Sequence, residues 1–280
     1  MHIDQNQLDK IIRLSYDEDI GTGDITTNTT IPENTTASGS FIAKEDGVIC
    51  GMGVASRCFE LIDTTVKFEA LVADGAKVKK GDVIAKISGN AASILVAERT
   101  ALNLMQRMSG IATRTAEAVE QVKGTNAKIT DTRKTMPMLR VLDKYAVRIG
   151  GGYNHRFNLA DGILIKDNHI AAAGSITNAV SSAKNGAPHT LKVEVEVENF
   201  EQLNEALNAG ADIIMLDNMT NEMMCEAVKL INGRVLLEAS GNMGEKDLLA
   251  VAKTGVDIIS IGALTHTVKA LDISLKFKID

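Results

Sequence analysis

Three short segments concentrate residues able to do chemistry: DTRKT at 131–135, GGGYNHR at 150–156 and LIKDNH at 164–169. Between residues 131 and 170 there are seven Lys or Arg against four Asp, with His155 and His169, in a chain of formal net charge −6. Guanidinium forks grip carboxylates and phosphates through paired hydrogen bonds, and ammonium groups act as point charges. A cationic cluster on an acidic molecule therefore suits a small ligand with several carboxylates or phosphates. Nucleic acid is a poor partner: aromatic residues make up 3% of the chain and Trp is absent, so bases have little to stack on. A second feature is VEVEVE at 193–198. The two-residue strand period puts Glu194, Glu196 and Glu198 on one face and Val193, Val195 and Val197 on the other. If the valines pack under helices, the carboxylates point inward, where they need a cation or a metal. Glu196, nearer the strand end, is a candidate site residue, and Glu194 reads as the structural partner of a buried Lys or Arg.

The elements that must position these residues change character along the chain. Residues 1–110 read as mixed α+β, opening with an amphipathic helix (Leu8, Ile11, Ile12, Leu14) and a turn at Gly21 and Gly23. Short strand-like runs follow, and VADGAKVKKGDVIAKISG alternates around DG and KKGD turns like a twisted hairpin. It resembles the hairpins of biotinyl and lipoyl carriers, but Lys79 and Lys80 lack the Met or Ala flank of a modified lysine. AASILVAERTALNLMQRMSGIATRTAEAVEQV has helical spacing and reads as one long helix, or two joined near Ser109 and Gly110. From about residue 125, KITDT, GILIKD, LKVEVEV, DIIMLD, RVLLEAS and DIISIG alternate with helical stretches. That pattern predicts an incomplete parallel α/β barrel. A doubly wound open sheet is the alternative, though no GxGxxG follows a strand.

Barrel chemistry collects at the C-terminal ends of strands. Those ends carry Thr132, Arg133 and Lys134; Lys166; Asp217 and Asn218; Ser240, Gly241 and Asn242; and Gly262 with Ala263. The last two loops, ASGNMG and SIGALTH, stand where many barrels hold a phosphate on backbone N–H groups. Arg140, Lys144 and Arg148 recur every four residues and read as a solvated helix face, and His189 and His266 as surface or capping groups. Cys50, Cys58 and Cys225 show no CxxC spacing and read as reduced thiols. No apolar run approaches the roughly 18 residues of a membrane span. With no signal-peptide pattern at the N-terminus, the expected location is the cytoplasm.

DTRKT, KYAVRIGGGYNHR, LIKDNH, VEVEVE, LDN, LEASGN and IGALTH, in this order, resemble the quinolinate phosphoribosyltransferase family. EDIGTGDITT and AERTALNLMQRMSGIAT extend the resemblance over essentially the whole chain. It implies a type II phosphoribosyltransferase fold: an N-terminal α+β sandwich domain over 1–110, with a C-terminal helix at 266–280 packing back on it, and an α/β barrel over 111–265. It also implies transfer of phosphoribosyl from phosphoribosyl pyrophosphate to quinolinate with decarboxylation, in a homodimer, with dimer or hexamer left open as the full assembly. Arg99 would reach the neighbouring subunit's site and, with Arg133, His155 and Arg156, bind the quinolinate carboxylates. Lys134 and Lys166 would meet acidic groups and pyrophosphate, with Thr132 and His169 lining the same pocket. Glu196 and Asp217 would hold the ribose hydroxyls and Mg²⁺. Ser240, Gly241, Asn242, Ile261, Gly262 and Ala263 would take the 5-phosphate. One departure stands out: where the family reads TPG after DTRKT, this chain has Met136-Pro137-Met138, with Met138 in place of Gly. A molybdenum-operon homologue and a non-catalytic binder of a small polyanion are the alternative readings.

Overall fold

The computed structural model describes residues 3–279. Its first half holds α1 (Gln5–Ile20), α2 (Ile25–Thr30), β1 (Thr36–Ala43), β2 (Gly47–Val48), α3 (Met52–Ile62), β3 (Lys67–Ala70), β4 (Lys77–Val78), β5 (Val83–Asn90) and α4 (Ala91–Gln121). Then come β6 (Lys128–Thr130), α5 (Arg140–Ile149), β7 (Ile163–Ile165), α6 (Asp167–Ala173), α7 (Ile176–Gly186), β8 (Val193–Val197) and α8 (Phe200–Ala209). The chain ends with β9 (Ile213–Asp217), α9 (Asn221–Ile231), β10 (Leu236–Ser240), α10 (Leu248–Ala252), β11 (Ile258–Ser260), α11 (Ala263–His266) and β12 (Ile273–Ile279). Among the described residues no helix is long and apolar enough to cross a membrane.

Two compact units divide the chain: residues up to Ala116, 136–151 and from Val268 form one, and 117–135 with 152–267 form the other. In the first, an antiparallel sheet runs in the order β12-β1-β5-β3. Asp4 caps α1 by accepting the Gln7 N–H, and Gly21 ends it at φ 55°. Leu8, Ile11, Ile12 and Tyr16 are buried at helical spacing, whereas Leu14, expected beside them, falls off that stripe and is 53% exposed. The run around the DG and KKGD turns is not a hairpin, because β4 pairs with β2 while β5 pairs with β1 and β3. Helix α4 is continuous through Ser109 and Gly110. A Cβ at Gly110 would fall 2.2 Å from the Lys269 carbonyl oxygen, so the glycine admits the returning chain.

Two expectations for this unit need correction. The span 266–280 is not a helix: after α11, β12 pairs antiparallel with β1 from Ala43↔Ile273 to Ala37↔Ile279, and Asp280 lies outside the described residues. ISLKFKI alternates with a two-residue period, which a strand satisfies and a helix does not. Nor do all of residues 111–265 belong with the barrel. Val141, Leu142, Ala146 and Val147 of α5 join the first unit's core, and buried Asp143 accepts two hydrogen bonds from Arg107 at 2.8 Å each. The sequence displays the amphipathic stripe of α5 but not which sheet that stripe covers. Lys144 lies on the stripe, one turn from Val141 and Val147, and is fully buried rather than solvated.

The second unit's sheet runs β6-β11-β10-β9-β8-β7, every neighbouring pair parallel, with no pairing between β6 and β7 among the described residues. Ile129, Val193, Val195, Val197, Ile214, Leu216, Leu237, Ala239 and Ile259 pack into one core. Alternate positions carry Thr130, Glu194, Glu196, Asp217, Glu238, Ser240 and Ser260. Side chains of β6, β8, β9, β10 and β11 line one cavity of about 430 Å³, so the sheet curls into an open barrel. A flat doubly wound sheet would not bring those strands around one space. Burying the three valines of β8 is worth roughly 5–9 kcal/mol, and a one-residue slip would put glutamates in their place, so the register is strongly fixed. AGADIIMLDN and TGVDIISIGA play the same local part, since Asp212 and Asp257 accept the N–H groups of Val193 and Leu237 and so tie each strand start to its neighbour.

Candidate active site

The end of β6 and the loop after β11 meet at Lys134. Thr265 donates its hydroxyl hydrogen to the Lys134 carbonyl at 2.8 Å, and the Lys134 N–H donates to Thr132 Oγ1 at 3.0 Å. A Cβ on Gly262 would lie 3.0 Å from Lys134 Cδ and 3.1 Å from the His266 ring, so the glycine gives the lysine stem room. Asp131, fully buried, accepts the His155 N–H at 2.9 Å and the Asn154 amide at 2.6 Å. It thereby ties the YNHR segment to the end of β6, where Tyr153 bridges Thr130. Burial pulls the Arg156 guanidinium below its ordinary range, and the charge of Arg133 adds to the fall while Glu194 opposes it. Two partly buried guanidiniums that feel each other's charge make a place for an anion.

On the opposite strands, Lys166 is ion-paired with Glu196, the two side chains 45% and 16% exposed. His169 Nδ1 accepts the Lys166 N–H at 3.0 Å and closes the cap of α6, so that nitrogen is committed to holding Lys166 in place. Asp217, at the end of β9, accepts from Asn218 Nδ2 at 2.9 Å, and the Asn218 N–H donates to the Ser240 carbonyl at 3.1 Å. Asn218, Gly241 and Asn242 have φ of 54°, 94° and 53°, which lets the two strand ends turn tightly against each other. Ile261 differs from the other phosphate candidates: its side chain is in the core and its N–H donates to the Thr130 carbonyl at 2.9 Å. That leaves Gly262 and Ala263 to offer amides from this loop. Arg99 is exposed on α4 in the other unit.

Deeper in the lumen lies a group that the sequence reading did not assemble. His155 Nε2 is 3.1 Å from Glu194 Oε2 and 3.8 Å from Glu238 Oε1, and its Nδ1 accepts the Arg156 N–H at 2.8 Å. Glu194 is thus bonded to an imidazole, and of the Lys or Arg expected it has Arg156, whose guanidinium feels its charge without a direct bond between them. Glu238 went unnoticed because it sits mid-strand in LLEAS, between residues that build the core. The available signal was its place two residues before Ser240, on the same inward face. Burial pushes the Glu238 carboxyl up to about 7, the Glu194 charge adds to the rise, and His155 opposes it. Glu194 Oε1, Glu238 Oε1 and Thr130 Oγ1 are buried without a hydrogen-bond partner. The cavity beside them reaches Ile163, Lys192, Ile213 and Ile258 at the strand starts, away from Lys166, Glu196 and Asp217.

Two groups of side chains come close enough together to be weighed as metal sites. Ligand atoms of His155, Glu194 and Glu238 lie within 4.8 Å of one another. The Arg156 N–H on Nδ1, however, puts the imidazole proton on Nε2, where a metal would need a lone pair. Glu196 and Asp217, on adjacent parallel strands, are all-oxygen donors with acceptor capacity beyond their Lys166 and Asn218 bonds. That chemistry fits Mg²⁺, which takes one or two carboxylates and keeps its remaining positions for water and phosphate.

Comparison with known proteins extends over the whole of this framework. The model of the quinolinate phosphoribosyl transferase C-terminal domain matches residues 111–276, and that of the N-terminal domain matches 24–109. The chain is 48% identical over 269 residues to the probable nicotinate-nucleotide pyrophosphorylase (carboxylating) of Bacillus subtilis strain 168, covering 96% of this chain and 93% of that protein. It is 46% identical over 288 residues to the chloroplastic nicotinate-nucleotide pyrophosphorylase (carboxylating) of Arabidopsis thaliana, covering 96% and 82%. The solved nicotinate-nucleotide pyrophosphorylase of Francisella tularensis superposes with a TM-score of 0.94 at 42% identity, over 99% of this chain and 98% of that one. With both family domains matched end to end and the open barrel in place, the chain belongs to the quinolinate phosphoribosyltransferase family.

Proposed function

We propose that this chain joins the pyridine nitrogen of quinolinate to C1 of the phosphoribosyl group of phosphoribosyl pyrophosphate, yielding nicotinate mononucleotide, pyrophosphate and CO₂ in de novo NAD biosynthesis. What carries the reading is family membership along the whole chain, joined to an anion site at Arg133 and Arg156 and an acid–cation pair at Lys166 and Glu196 in one barrel. Arg133 and Arg156, with His155 nearby and Arg99 from a second copy, would orient the two carboxylates. Lys134 and Lys166 would meet the acidic groups and the departing pyrophosphate, and Thr132 and His169 would hold those lysines by their main-chain N–H groups. Ser240, Gly241, Asn242, Gly262 and Ala263 would surround the 5-phosphate.

Departure of pyrophosphate builds positive charge on the ribose ring, and Glu196 and Asp217 would face that charge as it develops. The pyridine nitrogen is the nucleophile, so no side chain need attack, and orientation by the arginines supplies much of the rate. Once that nitrogen is a pyridinium, its positive charge stabilises the electron pair left on C2 when the C2 carboxylate leaves as CO₂, and that carbon then takes a proton. Mg²⁺, held through Glu196 and Asp217, would neutralise charge on the pyrophosphate. The homodimer with a shared site and a cytoplasmic location belong to the same proposal.

The test is pyrophosphate and CO₂ release by the purified protein with phosphoribosyl pyrophosphate, Mg²⁺ and quinolinate, nicotinate run in parallel. Release with quinolinate alone supports the reading; release with neither refutes it, and saturable binding without turnover would leave a polyanion-binding protein. For the shared site, Arg99→Ala mixed with Glu196→Gln should regain activity through hybrid dimers. No recovery would refute sharing.

A further inference from the structure

We propose that Glu238 is a positioning residue for the anion-binding arginine: with Glu194 it clamps the His155 ring as the Nε2–H tautomer, and the ring's Nδ1 holds the Arg156 main chain. This rests on the proposed function in one respect, that Arg156 meets a substrate carboxylate.

The two ring nitrogens have separate partners. Nδ1 accepts the Arg156 N–H at 2.8 Å, so it carries no proton. The ring is then neutral with its hydrogen on Nε2, facing Glu194 Oε2 at 3.1 Å and Glu238 Oε1 at 3.8 Å. Both nitrogens are thereby committed to the protein. The imidazole is a spacer between two buried carboxylates and a main-chain amide, and the gripping of a substrate carboxylate falls to the guanidiniums. The segment is held from its other side by Asp131, which accepts the His155 N–H and the Asn154 side-chain amide. The Arg156 guanidinium is fixed in turn by donating to the Gly162 carbonyl at 3.0 Å. Each part of Asn154-His155-Arg156 therefore has an anchor, and Glu238 stands behind the ring's.

Charge accounts for the second carboxylate. Glu238 and Glu194 are 2% and 4% exposed, and two neighbouring buried anions would repel each other. The groups facing Glu238 are Glu194 from β8, the His155 ring, Ser260 from β11 and, farther off, Lys166. Burial favours the neutral acid at Glu238, the charge of Glu194 beside it pushes the same way, and the Arg156 guanidinium senses Glu194. A neutral acid keeps the shape that wedges the ring without adding a second charge.

Three measurements test this. In wild-type protein, the ring ¹⁵N shifts of His155, assigned by their loss in His155→Gln, should show a protonated Nε2 and a bare Nδ1. An imidazolium, the other tautomer, or a divalent cation on Nε2 overturns the proposal, and this arm needs neither activity nor a variant of Glu238. Glu238→Ala should raise the quinolinate KM roughly 10- to 100-fold, the scale of a misplaced substrate-orienting group, with a smaller change in kcat and little change in the phosphoribosyl pyrophosphate KM. Glu238→Gln, which keeps size and hydrogen bonding, should recover most of that loss. Equal damage to both substrates, a fall in kcat alone, or no difference between the Ala and Gln variants overturns it. A protein with the expected tautomer but no transferase activity would sink the proposed function instead, leaving the clamp in place.

Discussion

Gly241→Ala isolates how the strand-end loops are built. Gly241 has φ +94°, and a Cβ there would sit 2.2 Å from Asn218 Oδ1 and 2.8 Å from the Asn218 backbone nitrogen. The left-handed backbone alone costs a residue with a Cβ about 1–2 kcal/mol. Relieving the overlap must move Asn218, which donates to the Ser240 carbonyl and to Asp217 Oδ2, and losing one such bond costs about 1 kcal/mol more. The sum is roughly 2–3 kcal/mol, read as a lower guanidinium midpoint at unchanged slope. Gly233 provides the control: its φ is +73° with nothing within 4 Å of a Cβ, so Gly233→Ala should lose only the backbone part. Because Asn218 steadies Asp217, Gly241→Ala should also raise the phosphoribosyl pyrophosphate KM while Gly233→Ala does not. Equal midpoints for the two variants, or an unchanged KM for Gly241→Ala, would refute the claim that close approach to Asn218 is what this glycine permits.

Three further outcomes are expected. Met138 holds φ +68° with a side chain 68% exposed, so Met138→Gly should relieve about 1–2 kcal/mol of backbone strain against roughly 0.5–1 kcal/mol of added chain entropy. A lower melting temperature in calorimetry would contradict that net gain. Glu238 titrates near 7 in the folded protein against an ordinary 4.5, so the folded state binds the extra proton between those values. Stability should therefore fall by on the order of 3 kcal/mol as pH rises from about 4.5 to 7, and Glu238→Gln should flatten that part of a pH series of denaturation midpoints. Lys166→Ala leaves Glu196 without its ion-pair partner and should lower kcat by about 10²-fold or more, the usual effect of removing one preorganised charge at a reacting centre. Stopped assays showing kcat unchanged would remove Lys166 from the chemistry.

The barrel strands and the inward face of β8 were legible because a two-residue period with valines on one side admits one buried register. The same is true of the strand-end motifs, since DTRK, KDNH, LDN and SGN follow apolar runs directly. The cationic stretch was legible as a cluster, but three of its seven cations, Arg140, Lys144 and Arg148, lie on α5 in the first unit rather than with Arg133 and Arg156. Met138 announced itself by standing where the family's pattern has glycine, and its positive φ shows what that glycine served.

What only the tertiary structure decided was partnership across the chain. ISLKFKI has a strand's period, but nothing local says that it returns to β1 more than two hundred residues earlier. The stripe of α5 fits either core, and its choice of the first unit buried Lys144 against expectation. Glu238 is one acid in an apolar strand until curling of the sheet brings it to His155 and Glu194. Ile261 resembles a phosphate-loop residue until Thr130 takes its amide. Local period and composition determine which face of an element is buried, because that follows from the spacing of side chains along one strand or helix. Which element covers that face, and which hydrogen-bonding groups remain for a ligand, depends on contacts between distant segments, and those exist only once the chain has closed upon itself.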